Sequence, residues 1–150
     1  MTIALPKPTR RTPKHRKPLQ RSRTPIARRS ARKGDRYLAD SLWSFLVLEA
    51  NPLRVARPVD AHHLLPKSTH PELRWSLANG VALTRQQHDW AHQRPEHSLA
   101  LAERIYGSLW SHVLTSCSRP RERAADAVDR LREEVVARGL EDAARARGLM

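Results

Sequence analysis

Apolar residues recur with helical spacing from Asp35 to Ala50, where Tyr37, Leu38, Leu42, Phe45 and Leu46, with Trp43 beside them, form one apolar side. That spacing predicts a helix, ended by Asn51-Pro52 because a residue before proline avoids the helical region. The period then shortens. Val59 to Leu65 reads as a strand closed by Pro66, Ser68 to Ala78 as an irregular connection, Asn79-Gly80 as a turn, and Val81-Ala82-Leu83 as a second strand. Thr84-Arg85-Gln86-Gln87 fits a capping box, so a helix is expected from Arg85 to about Gln93, before Pro95. Leu101, Ile105, Leu109 and Val113 recur every four residues, with Ala102, Tyr106 and Trp110 beside them, and predict one helix from about His97 to Thr115. Arg119-Pro120 breaks the chain. Residues 121–138 then form a charged helix with Val128, Leu131 and Val135 on one side, an Asp126–Arg130 pair at i,i+4, and Gly139 as its cap. Residues 140–148 add a short helix. The pattern as a whole is α+β: strand, turn, strand and helix, flanked by further helices.

Charge divides the chain unequally. The net charge is +13, and 13 of the 28 Lys and Arg fall in residues 1–36, against one acid, Asp35. The same segment holds five of the eleven prolines and few apolar residues, so it is expected to be a disordered basic arm. The remainder is nearly balanced, with 15 basic and 14 acidic residues. Such a charge implies a polyanionic partner, of which nucleic acid is the commonest. The single cysteine, Cys117, allows no internal disulfide and no cysteine-based zinc site. Pro6, Pro8 and the basic run leave no apolar leader, and the longest strongly apolar run, Phe45 to Leu48, is too short to span a bilayer. A cytoplasmic setting without membrane contact is expected.

Four of the eight histidines form two pairs. His62 and His63 are adjacent near the end of the first strand. His88 and His92 are four apart, which places both imidazoles on one face of the helix after the second strand. If the hairpin and helix fold back, the pairs meet, and three or four imidazoles at one point suit a divalent transition metal. Cleavage of a phosphodiester needs a base to activate water, a cation to offset charge, and a group that orients the base. Adjacent histidines can separate the first two roles, and the amide of Asn79, at the turn, can brace a histidine.

Asp60-Ala61-His62-His63-Leu64-Leu65-Pro66, Asn79-Gly80-Val81-Ala82-Leu83 and His88-Asp89-Trp90-Ala91-His92 together resemble the HNH endonucleases of the ββα-metal fold, and most of all small phage and bacterial HNH proteins with a Lys/Arg/Pro-rich arm. The resemblance spans residues 59–94. It implies a metal-dependent endonuclease that hydrolyses DNA in a bacterial or phage-infected cell. One divalent ion (Mg²⁺, Mn²⁺, Ni²⁺ or Zn²⁺) would be its cofactor. It further implies His63 as the general base, Asn79 as its orienting residue, His62 and His88 as metal ligands, and His92 as a third ligand or a phosphate contact. The implied organisation is an arm at 1–36, a nuclease domain at 37–116 with its ββα core at about 59–94, and C-terminal amphipathic helices at 117–150. Many phage relatives carry Cys-x-x-Cys pairs that bind a structural zinc. This chain lacks them, so no zinc knuckle is expected and the flanking helices must brace the ββα unit.

Lys67, Arg74 and Arg85 flank the motif and are candidate phosphate contacts, although any one of them is as readily a solvated surface charge. Asp60 reads as a surface acid at a strand edge, Trp75 and Trp90 as packing residues, and His15, His70, His97 and His112 as histidines without a site role, His112 being placed to be buried in a core-type helix. Two other classes compete with the nuclease. A non-catalytic basic nucleic-acid-binding protein derived from the same fold would not need the intact His-His pair. A closed structural metal site built from imidazoles alone would be unusual.

Overall fold

The computed structural model describes residues 26–49, 59–117 and 120–150. The arm up to residue 25, the Asn51-Pro52 break and Arg119 lie outside these. Helix α1 spans Ile26–Glu49. It starts well before the expected Asp35, so residues 26–36 are helical and do not belong to the arm. The cause is local: no proline occurs from residue 26 to residue 51, and the stretch opens with Ala, Arg and Lys, which are strong helix formers. From Ala39 onward α1 buries Leu42, Trp43, Phe45, Leu46 and Val47, the apolar side that the spacing predicts. Tyr37 departs from that side and is 76% exposed. It falls in line with Ser41, Ser44 and Leu48, one strip around the helix from Leu42 and Leu46.

Helices α5 (Ala124–Ala137) and α6 (Glu141–Ala146) complete the core around α1, contributing Ala127, Val128, Leu131, Val135 and Ala144. The C-terminal segment therefore shares a core with the segment before it, and the expected boundary at 116/117 does not separate two packed units. Gly139, at φ 65°, closes α5: its N–H reaches Val136 O at 2.9 Å, and that of Leu140 reaches Val135 O at 3.0 Å, the paired bonds of a Schellman cap. The expected Asp126–Arg130 pair does not form. Arg123 takes Asp126, while Arg130 holds both oxygens of Glu122 and the Trp75 carbonyl. Three tertiary acceptors outweigh one exposed helical pair.

Strands β1 (Val59–His63) and β2 (Gly80–Thr84) pair antiparallel, with His62 opposite Val81 and His63 opposite Gly80. They are joined by residues 64–79, which hold two 3₁₀ turns, Pro71–Leu73 and Leu77–Asn79. Gly80, expected in a turn, is extended (φ −112°, ψ 138°) and opens β2. It is needed for close approach, because a Cβ there would overlap Val47 Cγ2 and lie 2.9 Å from Trp43 Cζ2. Helix α2 (Arg85–Gln93) has the expected bounds, and its capping box is formed between Thr84 and Gln87. Arg94, before Pro95, is extended and separates α2 from α3 (Pro95–Tyr106).

The single helix expected over residues 97–115 is instead two. Gly107 turns to φ 60° and ends α3, and a 3₁₀ turn leads into α4 (Trp110–Ser116). Leu109, predicted on the apolar stripe, sits in that turn and is 63% exposed, and His112 is exposed as well. The side chains of Ile105 and Tyr106 lie outside the described ones. A second, smaller core gathers Leu64, Leu83, Ala91, Leu101 and Ala102 beneath the hairpin and α2. Among the described residues, no helix is long and apolar enough to cross a membrane.

Candidate metal centre

Side chains alternate across a strand, so adjacent residues on β1 face opposite ways. His62 turns toward α2. There it meets His88 and His92 at ring-centroid distances of 5.3 and 5.0 Å, and those two rings are 4.5 Å apart. One ligand nitrogen from each of the three lies within 4.8 Å of the other two, close enough to share a metal ion. The i,i+4 spacing on α2 and the position of His62 near the end of β1 create the cluster, and Thr84, which caps α2 directly after β2, sets the angle between them. His62 is 4% exposed and its Nε2 lies 3.1 Å from the hydroxyl of the buried Ser98 on α3. Burial, then the neighbouring His92, His88 and His63, push the pKa of His62 down to about 4, so the ring is neutral at pH 7.

The donor set fits a divalent transition ion. The Nε2 atoms of His88 and His92 face each other at 3.3 Å, a separation at which two lone pairs repel unless a proton or a cation lies between them. Nδ1 of His88 is buried without a hydrogen-bond partner among the described residues. Neutral imidazoles are the ordinary protein ligands of Zn²⁺, Ni²⁺ and related ions.

His63 turns the other way, toward α1. Its ring stacks on Trp43 at 3.8 Å with an interplanar angle of 12°, and its Nε2 lies 2.8 Å from the backbone carbonyl of Arg74. A carbonyl only accepts, so Nε2 carries the proton and the lone pair of the neutral ring is on Nδ1. Burial pushes the pKa of His63 down to about 4; the charges of Lys67 and Arg74 add to this, while the Arg74 carbonyl opposes it. Both His62 and His63 line one cleft of about 470 Å³, with His88, His92, Lys67 and Arg94.

Asn79 does not brace His63 directly. It is fully buried, its Oδ1 accepts from Leu65 N–H at 2.8 Å, and its Nδ2 donates to the carbonyls of Leu65 and Leu73 at 3.0 and 3.3 Å. The amide thus ties the two ends of the connection that carries Arg74, and the direct brace on His63 is the Arg74 carbonyl. The Arg74 side chain is also committed. Its Nε and Nη2 bond both oxygens of Asp40 at 2.9 and 2.5 Å, and it is only 12% exposed, which removes it as a phosphate contact. Burial raises the pKa of Asp40, but the bonds from Arg74 and from Trp75 Nε1 outweigh it and hold the carboxyl below its ordinary value. Arg85 pairs with Asp60 at 3.2 Å and lines a different cleft, on the outer side of α2. Lys67 is the one expected cation that is both exposed and at the histidine cleft.

Ser98, Trp43 and Arg94 are site residues that the sequence pattern did not single out. Only Trp43 left a signal, as an aromatic beside the apolar strip of α1. Trp75 packs as expected, at 7% exposure, whereas Trp90 is 39% exposed and stacks on His97 at 3.8 Å. His70 pairs with Glu72 at 3.2 Å. Set against known protein families, curated proteins and solved structures, the chain matches none.

Proposed function

We propose that this chain is an HNH-type, metal-dependent endonuclease that hydrolyses DNA phosphodiester bonds. The observation that carries the reading is the division of labour between neighbours: His62 joins His88 and His92 in a three-nitrogen cluster, while His63, in the same cleft, has its Nε2 proton tied to a carbonyl. A divalent ion held by His62, His88 and His92 would offset charge on the scissile phosphate and its leaving oxygen. His63 Nδ1 accepts the proton of the attacking water. Because His63 is neutral at pH 7, its base form needs no prior deprotonation. Trp43 fixes the plane of the ring and the Arg74 carbonyl fixes its tautomer, so the lone pair is oriented before substrate arrives. Lys67, exposed at the rim, neutralises a neighbouring phosphate.

Supercoiled plasmid incubated with the protein and Mg²⁺, Mn²⁺, Ni²⁺ or Zn²⁺, against an EDTA control, tests this. Relaxed or linear DNA that appears only with metal is the expected result. If a metal binds and DNA binds but no ion supports cleavage, the catalytic reading is wrong and the chain is a non-catalytic nucleic-acid-binding protein.

A further inference from the structure

A second groove, of about 1060 Å³, opens beside the histidine cleft between α1, the β1–β2 connection and the start of α5. Lys67 and Ser68 line both cavities, so the two adjoin there. Its charges fall into two groups. Arg74 is tied to Asp40, Glu122 to Arg130, and Arg123 to Asp126. Arg36 on α1, Lys67 on the connection and Arg121 before α5 have no carboxylate partner among the described residues, and all three are exposed. The other acid at the groove, Asp35, does not balance them. The groove runs out at the first turn of α5, where Arg123 supplies no side-chain cap to the helix amides.

From this we infer that the groove carries the phosphate backbone of duplex DNA away from the metal centre, with Arg36 and Arg121 contacting phosphates that lie beyond the one cleaved. This rests on the nuclease reading for its direction, since the track begins at the cleft shared by His62 and His63 and leaves it past Lys67. Unpaired exposed cations along adjoining grooves bind a polyanion by releasing its counterions, without reading sequence. The side chains that pair internally keep the walls in place. Those that do not pair are the ones available to phosphate. The groove also gives the start of α5 a role that the ββα motif alone would not, because Arg121, just before that helix, stands at the groove's far end.

The full chain and its Arg36→Gln/Arg121→Gln variant are titrated with duplex DNA by fluorescence anisotropy, in EDTA, between 50 and 200 mM salt. Each phosphate contact contributes about 0.9 to the slope of log K against log salt, so the double variant should flatten it by about 1.8. Arg138→Gln/Arg145→Gln removes the same charge from the far end of α5 and from α6, and should leave the slope close to that of the unmodified chain. An unchanged slope in the groove variant overturns the inference, as does an equal loss in both variants, which would reflect net charge alone. Binding is read without metal and without cleavage. A chain that binds through the groove but never nicks plasmid would refute the nuclease reading and leave the groove standing; one that nicks but keeps its slope in the groove variant would refute the groove alone.

Discussion

His62 and His63 are neighbours in the chain, yet the two faces of the hairpin treat them differently. On the α2 face, His62 meets two more imidazoles and a serine hydroxyl, and every ring has a nitrogen to offer an ion. On the α1 face, His63 meets an indole plane and a backbone carbonyl, which leave Nδ1 with its lone pair and no second imidazole beside it. The difference teaches that a strand's two-residue period can send adjacent histidines to separate surroundings, one to a three-imidazole cluster and one to an indole and a carbonyl, with no residue between them. What differs is the scaffold each face supplies: a helix with i,i+4 histidines on one side, and a glycine-enabled close approach of α1 on the other.

The largest effect expected from breaking this comparison comes from removing one histidine on each face. His63→Ala should leave metal binding close to that of the unmodified chain while plasmid nicking falls about 10²–10⁴-fold, the usual worth of a general base. His88→Ala should weaken metal binding instead, and raised metal concentration should restore part of the activity. Calorimetric metal titration and nicking rates on the same two proteins decide it. Equal loss of both properties in both variants would mean that the faces are not functionally distinct.

A somewhat smaller effect is expected at Asn79, which reaches His63 only through the backbone. Asn79→Ala takes the side-chain partner from the Leu65 N–H and carbonyl, while the Leu73 carbonyl keeps its bond from Ser76 N–H at 3.2 Å, at a cost on the order of 3 kcal/mol of stability. Asn79→Asp should fare no better, because it loses both Nδ2 bonds and sets a carboxylate against the carbonyls of Leu65 and Leu73. Urea unfolding of the two variants measures the cost. If Asn79→Asp is as stable as the unmodified chain, the amide is not what holds the connection.

Gly80→Ala tests the α1 face more gently. The added Cβ presses on Val47 and Trp43, and overpacking of this kind costs about 1–3 kcal/mol. Because Trp43 is also the stacking partner of His63, nicking should fall in the variant while its metal affinity holds. A loss of metal affinity without loss of nicking would reverse the assignment of the faces.

What could be read from the sequence follows from how local each signal is. The bounds of α2 and its capping box depend on four consecutive residues, and they are found where the pattern put them. The cluster of His62, His88 and His92 depends on two local spacings and one chain reversal, and it too was legible. The brace on His63 was not. A backbone carbonyl carries no residue signature, and Arg74 reaches its place through a connection whose turns depend on the buried Asn79. The commitment of the Arg74 side chain to Asp40 joins residues 34 apart, beyond any helical or strand period. The break at Gly107 was not read, because the four-residue apolar recurrence runs straight through it, while its positive φ ends α3 there. The early start of α1 was hidden by charge: a basic stretch without prolines reads as arm or as helix equally well.

The last effect, visible only in acid, concerns what the two faces share. Each holds its histidine neutral, with pKa values near 4 against 6.5 for the free side chain. Between those values the unfolded chain binds more protons than the folded one, so acid favours unfolding. The stability from keeping both rings neutral is whole above about pH 6.5, and it is lost progressively as pH falls through about 4. Asp40 acts lower: its carboxyl is held below 3.8, so its contribution disappears only at more acidic pH. In EDTA, thermal midpoints followed by circular dichroism should be level from pH 8 to 7 and then fall steadily toward pH 4.5. His62→Gln, which removes one of the two titrations and keeps a polar side chain near Ser98, should make that drop shallower. A midpoint that does not change between pH 7 and 4.5 would mean that neither ring is held neutral by the fold. Where the midpoint does drop, the variant says which ring carries it: a drop unchanged by His62→Gln would place the sensitivity on the α1 face, with His63.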